Sequence, residues 1–330
     1  MRVIIAAAQR LLVAEHESGE GRIMLENRAP RCLTVDGSGR VWCGTRGHGV
    51  LASDNGGLTW REAGLEGRDV TAIAAGGPAV VYAGTEPSAV FRSDDGAPWR
   101  ELEGLLDLPS AGTWSFPPRP STHHVRAIRV HPHDSDRIWV AIEAGALIRS
   151  RDGGVTWEDR VPGGPIDTHT LVTHPAAPGR LWSAAGDGWF ESQDNGDSWQ
   201  SPEEGLEEGY LWGVAVDRGD PKVVVVSAAS GPTEAHFVAR AESRVYRRQG
   251  NSPWVRVDRG LPEPQGTTTA ELVADPSSAG AFWAASNRGL FRTTDAGHSW
   301  HRIVFPWPHE FEETRIDALA VVPSHASVVA

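Results

Sequence analysis

The chain has 330 residues, and no stretch of it has the composition of a linker, so residues 1–330 read as a single domain. Its net charge is −12, with 31 Lys and Arg against 43 Asp and Glu, and Lys222 is its one lysine. That balance argues against nucleic acid or an anionic membrane as a partner. Two cysteines, Cys32 and Cys43, without metal-ligand spacing exclude a disulfide framework. They read as buried free thiols of a cytoplasmic protein, with a cross-strand bridge between them as the alternative.

In chain order, residues 3–6, 11–14 and 22–25 are three short apolar runs. The first faintly resembles a signal peptide, but it is too short, and Arg10 separates it from the second run. A recurring frame comes next. Residues 40–45 and 49–53 form a pair of strand-like runs, as do 81–85 and 89–93, 138–141 and 146–150, and 282–285 and 289–293. A third apolar run precedes each pair, such as 125–130 or 214–216. Each frame ends in a turn of the form Ser-x-Asp-x-Gly-x-Thr-Trp. The best copies run from Ser150 to Trp157 and from Ser192 to Trp199; Thr293 to Trp300 and Ser53 to Trp60 are near matches. Ser93 to Trp99 is one residue short, and Arg247 to Trp254 keeps little but its Trp. Gly, Asp and Asn suit tight turns, and a short carboxylate can cap the turn's own N–H groups. The Trp is expected to plug the gap between neighbouring sheets, which accounts for 14 Trp against 3 Tyr.

Short strands in fours, punctuated by Gly, Pro and Asp, are the pattern of propeller blades. Six blades lie at about 31–65, 68–105, 122–162, 167–206, 210–261 and 267–308. With strands lettered A to D from the central channel outward, the acidic turn joins C to D. The N-terminal runs then supply strands B, C and D, and residues 316–322 supply strand A, of a seventh, composite blade. The expected fold is all-β: a seven-bladed β-propeller closed by that blade, with six blades as the alternative. Residues 327–330 find no slot in it.

The turn with its Trp is the Asp-box, and over essentially its whole length the chain resembles the Asp-box, or BNR-repeat, β-propeller superfamily. That superfamily includes sialidases, xyloglucan hydrolases, sorting receptors and a photosystem II assembly factor. The resemblance implies a fold and leaves the activity open. The aromatic-Arg-Ile-Pro signature of sialidases is absent, and Tyr210 is the one tyrosine near a rim. Xyloglucan hydrolases work in a cleft between two propellers, of which this sequence provides one.

Function in a repeat fold concentrates where the repeats differ. Two insertions do so: one around residues 101–122, containing Trp114-Ser115-Phe116-Pro117-Pro118, and one around 230–243. Antiparallel geometry places both on the face opposite the acidic turns, where they are expected to form a lid or rim. At the starts of the inner strands the repeats carry Arg31, His124, Arg126, Asp167, His169, Tyr210, Trp212 and Arg315, and the B–C tips add Arg46 and Glu143. Such groups at a channel mouth suit a polar, sugar-like or carboxylate-bearing ligand and the chemistry of a hydrolase or lyase. In this reading Arg31, Arg46, Arg126, Arg315, Glu143, Tyr210 and His236 bind the ligand and Trp212 stacks on it. His124, His169 and Asp167 are the catalytic candidates. Two alternatives stand beside it. One is a divalent transition metal held by His124, His169 and His236; the other is a protein-docking scaffold. Oligomeric state is not legible in the sequence.

Overall fold

In the computed structural model, which describes residues 1–77 and 79–323, seven antiparallel sheets stand around a central channel. Residues 327–330, which found no slot among the blades, lie outside the described residues. The fold is a seven-bladed β-propeller, and the six-blade alternative falls away. Blades 1 to 6 take their strands in chain order, with the inner strands A at Pro30–Val35, Asp69–Ala75, Val125–His131, Thr168–Thr173, Tyr210–Val216 and Glu271–Ala274. Blade 7 is composite. Its strand A is Ala318–Val322 and its strands B to D are Arg2–Ala7, Arg10–Glu15 and Glu20–Met24. Val322 to Ala318 run antiparallel to Arg2 to Ala6, residue by residue, so no sheet edge is left open in the ring.

Strand D is the weakest part of each blade. In blades 3 and 4 it shrinks to a single bridge, Arg149 with Glu158 and Glu191 with Gln200. Pro202 cannot donate to a ladder and ends the fourth blade's outer strand. In blade 3, Asp159 turns away from the sheet to accept from the Ser110 backbone N–H (2.8 Å) and hydroxyl (2.5 Å) of the first insertion.

The acidic turns close on themselves. In the turn of blade 4 the Asp194 carboxylate accepts from Ser192 Oγ (2.7 Å), Ser198 N (2.9 Å) and Ser198 Oγ (2.6 Å), while Gly196 N donates to Ser192 Oγ (2.8 Å). Asp152 and Asp295 repeat the network, and Asn55 keeps part of it. The turn Trp departs from the expected plug. Trp254 and Trp300 are buried, but Trp60, Trp99, Trp157 and Trp199 are half-buried. The fully buried large aromatics are mostly on strand B: Trp139, Trp182, Trp283 and Tyr82. Three turn tryptophans instead reach back to the preceding blade, donating Nε1–H to the carbonyls of Ala63 (2.6 Å, Trp99), Glu103 (2.9 Å, Trp157) and Pro202 (3.0 Å, Trp254). Glycine is needed behind them, since a Cβ at Gly205 or Gly260 would overlap the backbone of Trp254 or Trp300.

Cys32 and Cys43 are free. Cys32 pairs with Gly44 and Cys43 with Leu33, so the two thiols point to opposite faces of the sheet, which rules out the cross-strand bridge.

Stability offers two tests of this architecture. Trp283→Ala should cost about 3–5 kcal/mol in denaturant unfolding, and Trp199→Ala about 1–2 kcal/mol, because less of its ring leaves water. Equal losses would contradict this division of labour. The second concerns acid. Slight burial acts to raise the carboxyls of Asp194 and Asp295, but hydrogen bonds from Ser198 and Ser299 outweigh it and hold both at about 2. The folded value lies below the unfolded one of about 3.9, so this contribution is complete above that pH and is lost as pH falls toward 2. Both carboxylates are exposed and screened, which limits each to about 1 kcal/mol or less. Asp194→Ala should therefore melt below wild type at pH 7, with the gap narrowing toward pH 2. A gap independent of pH would contradict it.

Candidate functional site at the channel mouth

Five of the inner strands carry one residue too many. Pairing of strand A with strand B skips Arg31 in blade 1, Thr71 in blade 2, Arg126 in blade 3 and His169 in blade 4. In blade 5 the skip falls at Trp212-Gly213. Each is a β-bulge, which frees a side chain from the alternation of the strand and re-aims it. All five bulge side chains line the channel or its mouth.

The mouth is a cavity of about 970 Å³. Both insertions wall it, as expected. Phe116, Pro117 and Pro118 come from the first, and Pro232 and His236 to Ala239 from the second, which forms a short helix, Pro232–His236, and a 3-10 turn, Val238–Arg240. A third wall runs from Glu312 to Arg315 beside the short helix His309–Glu312; Arg315 was nominated from the sequence, while Glu312 to Thr314 went unread because they belong to no repeat.

Of the sequence-nominated residues, Arg31, His124, Arg126, Glu143, Asp167, Tyr210, Trp212, His236 and Arg315 line this cavity. His169 lies just below, lining the channel, with its ring 4.6 Å from that of Trp212. Arg46 is exposed and is not among the lining residues.

Trp212 is the hub. It is 2% exposed, its Nε1–H donates to Glu271 (2.7 Å), and the guanidiniums of Arg126 and Arg315 lie 4.4 and 5.0 Å from its ring. The rings of His236 and Tyr210 pack on it as well. It therefore holds two arginines in place, and the expected stacking on a ligand finds no free face. Glu271 is not among the residues nominated at the strand starts. Its signal is an acid opening an apolar strand.

The charges are unevenly matched. Burial acts to raise the Glu143 carboxyl, but the hydrogen bond from His124 Nε2 (2.8 Å) and the charge of Arg126 (3.5 Å) hold it well below the usual carboxylate range. Burial pushes Glu271 and Asp317 the other way, toward the neutral acid. Against these stand Arg31, Arg126 and Arg315, and deeper in the channel Arg129, whose Nη1 donates to its neighbour's carbonyl, Ile128 O (2.9 Å). Arg31 Nη1 and Arg126 Nε are buried without hydrogen-bond partners among the described residues, facing Glu86 at 4.0 Å and Glu143 at 3.5 Å. Burial, then the guanidiniums of Arg315 and Arg126, lowers His236 to about 2, so its imidazole is neutral; burial and nearby carboxylates raise the Tyr210 phenol, which stays protonated. The two meet at 3.0 Å as an uncharged pair.

The three candidate metal histidines do not form one set. His124 is bound to Glu143 and His236 to Tyr210, while the donors that gather within 4.8 Å of one another are those of Glu143, Asp167 and His169.

No protein-family model matches the chain, and no curated protein does. Solved structures do. A GH74 enzyme of Niastella koreensis superposes with a TM-score of 0.69 at 16% identity, over 92% of this chain and 53% of that one. YCF48 bound to D1 peptide gives 0.59 at 15%, over 84% and 82%. Virginiamycin B lyase from Staphylococcus aureus gives 0.58 at 14%, over 86% and 90%. The likeness is one of fold. These proteins share the β-propeller, and the chain spans about half the length of the GH74 enzyme.

The hub has a direct test. Trp212→Phe keeps a ring for the two arginines but leaves Glu271 buried without its donor, and should cost about 1–3 kcal/mol. Glu271→Gln keeps the acceptor and should change unfolding free energy by less than about 0.5 kcal/mol. The reverse order in denaturant melts would show that Glu271 works as a buried charge.

Proposed function

We propose that the channel mouth binds a small ligand that carries a carboxylate and presents an apolar face. The observation that carries this reading is the set of three guanidiniums, Arg31, Arg126 and Arg315, lining one cavity in which two of the nearby carboxyls are pushed toward neutrality. A guanidinium without its full set of acceptors is costly unless something supplies them, and a ligand carboxylate does so bidentately. Phe116 to Pro118 and Phe237 to Ala239 line the same cavity as the arginines and suit the apolar face of an aryl acid or a sugar acid. His124, nominated as catalytic, is committed to Glu143 and acts by fixing that carboxylate.

The turn networks of Asp152, Asp194 and Asp295 support assignment to the Asp-box propellers, and two free thiols, Cys43 buried and Cys32 half-buried, support a cytoplasmic location. GH74 and YCF48 stand for the two broad uses of such a disc, carbohydrate chemistry and peptide docking. A concave, arginine-lined cavity of about 970 Å³ favours a small molecule over a docked protein.

Calorimetric titration with phenylacetate and glucuronate, each beside its uncharged counterpart, phenylacetamide and glucose, tests the reading. At least one acid should bind, its counterpart should not, and Arg126→Ala or Arg315→Ala should weaken binding about 10–100-fold. Equal binding of acid and uncharged counterpart, or indifference to both substitutions, would refute it.

A further inference from the structure

We infer that Glu143, Asp167 and His169 form a divalent-cation site in the wall between the channel and its mouth. The inference goes beyond the ligand-binding reading and stands without it.

Each donor is oriented by a partner that leaves one ligating atom free. His169 is 2% exposed, and its Nδ1 lies 2.6 Å from the carbonyl oxygen of Leu211. A carbonyl only accepts, so Nδ1 carries a proton, and in the neutral ring that leaves the lone pair on Nε2. That Nε2 has no hydrogen-bond partner among the described residues and faces Asp167 Oδ2 at 3.6 Å. Asp167 is fixed from two sides: its Oδ1 accepts from Ala144 N (2.7 Å), and its backbone N–H is held by Asp187 (3.2 Å). Glu143 spends Oε2 on His124 (2.8 Å) and Arg126 (3.5 Å), and Oε1 takes no hydrogen bond from the described residues. His124 and the Leu211 carbonyl thus stand where the outer partners of metal ligands usually stand.

The spacing fits. Neighbouring donors around an ion bound at about 2.1 Å lie about 3.0–3.4 Å apart, in octahedral or tetrahedral geometry. The 3.6 Å between His169 and Asp167, and the 4.8 Å within which all three donors fall, need only a small contraction. One imidazole and two carboxylates suit Mn, Fe or Zn. Glu143 and Asp167 both line the mouth cavity, so the remaining coordination positions open toward it, where water or an oxygen of a bound molecule can enter.

Titration of the purified, chelator-treated protein with Mn²⁺ alone tests the site. One equivalent per chain is expected. Asp167→Asn keeps the acceptor for Ala144, and His169→Asn keeps a donor for Leu211, so both retain the fold's hydrogen bonds while losing a ligand. Each should lower Mn²⁺ affinity at least about tenfold, whereas Arg22→Ala, on the exposed outer strand of blade 7, should retain it. On wild-type protein, the electron spin echo of bound Mn²⁺ should show coupling to one imidazole nitrogen. The site is overturned if wild type takes up no stoichiometric Mn²⁺, if both ligand variants bind as wild type does, if Arg22→Ala loses the ion equally, or if the echo carries no nitrogen coupling. A protein that binds Mn²⁺ but no carboxylate would leave this site standing and remove the ligand reading alone.

Discussion

One extra residue in each of five inner strands is the constraint on which the site depends. A propeller forces the inner strands to start close together, and a regular strand would turn alternate side chains at that point into the packing between blades. The bulges at Arg31, Thr71, Arg126, His169 and Trp212 break the alternation and turn those side chains to the axis. The apolar residues on either side, such as Val70, Val125 and Leu211, keep their places in the blade cores. Polar chemistry thus occupies the channel without a polar group being forced between sheets.

Closure of the ring serves the same end. Asp317 N donates to Ala6 O (2.8 Å) at the start of the closing strand, and Arg315 stands two residues before it, over Trp212 of blade 5. The first and last strands therefore meet beside the site, and an arginine just before the last strand is positioned by an aromatic ring from a distant blade. Around that ring the electrostatics are asymmetric: Glu143 is satisfied and ionised, Glu271 and Asp317 are pushed toward the neutral acid, and the guanidiniums keep unused donors. Low-dielectric walls make such an imbalance strong.

The repeat made the blades and their closure readable from residue types alone, and the polar strand starts stood out because the repeats are otherwise apolar. What stayed hidden has physical causes. The inner strand of blade 6, Glu271–Ala274, pairs without a register shift, so Glu271 does not stand at the bulge position that marks the polar residues of blades 1 to 5. Trp212 was legible as an aromatic at the mouth, but its coverage by arginines from two other blades is a tertiary fact. The turn tryptophans were legible as residues, whereas their half-burial depends on how far neighbouring blades splay at the rim. Arg46 sits on a B–C tip like Glu143, yet the tip of blade 1 leaves it in solvent while that of blade 3 folds over the channel.

The central claim is that the bulge residues gather a cavity that takes an anion on its arginine floor. A crystal structure of the protein soaked with phenylacetate tests it most directly. The carboxylate should lie within about 3 Å of nitrogens of Arg31, Arg126 or Arg315, with its ring between Phe116 and Phe237. Ordered phenylacetate at the acidic-turn face, with the channel mouth filled by water alone, would contradict it.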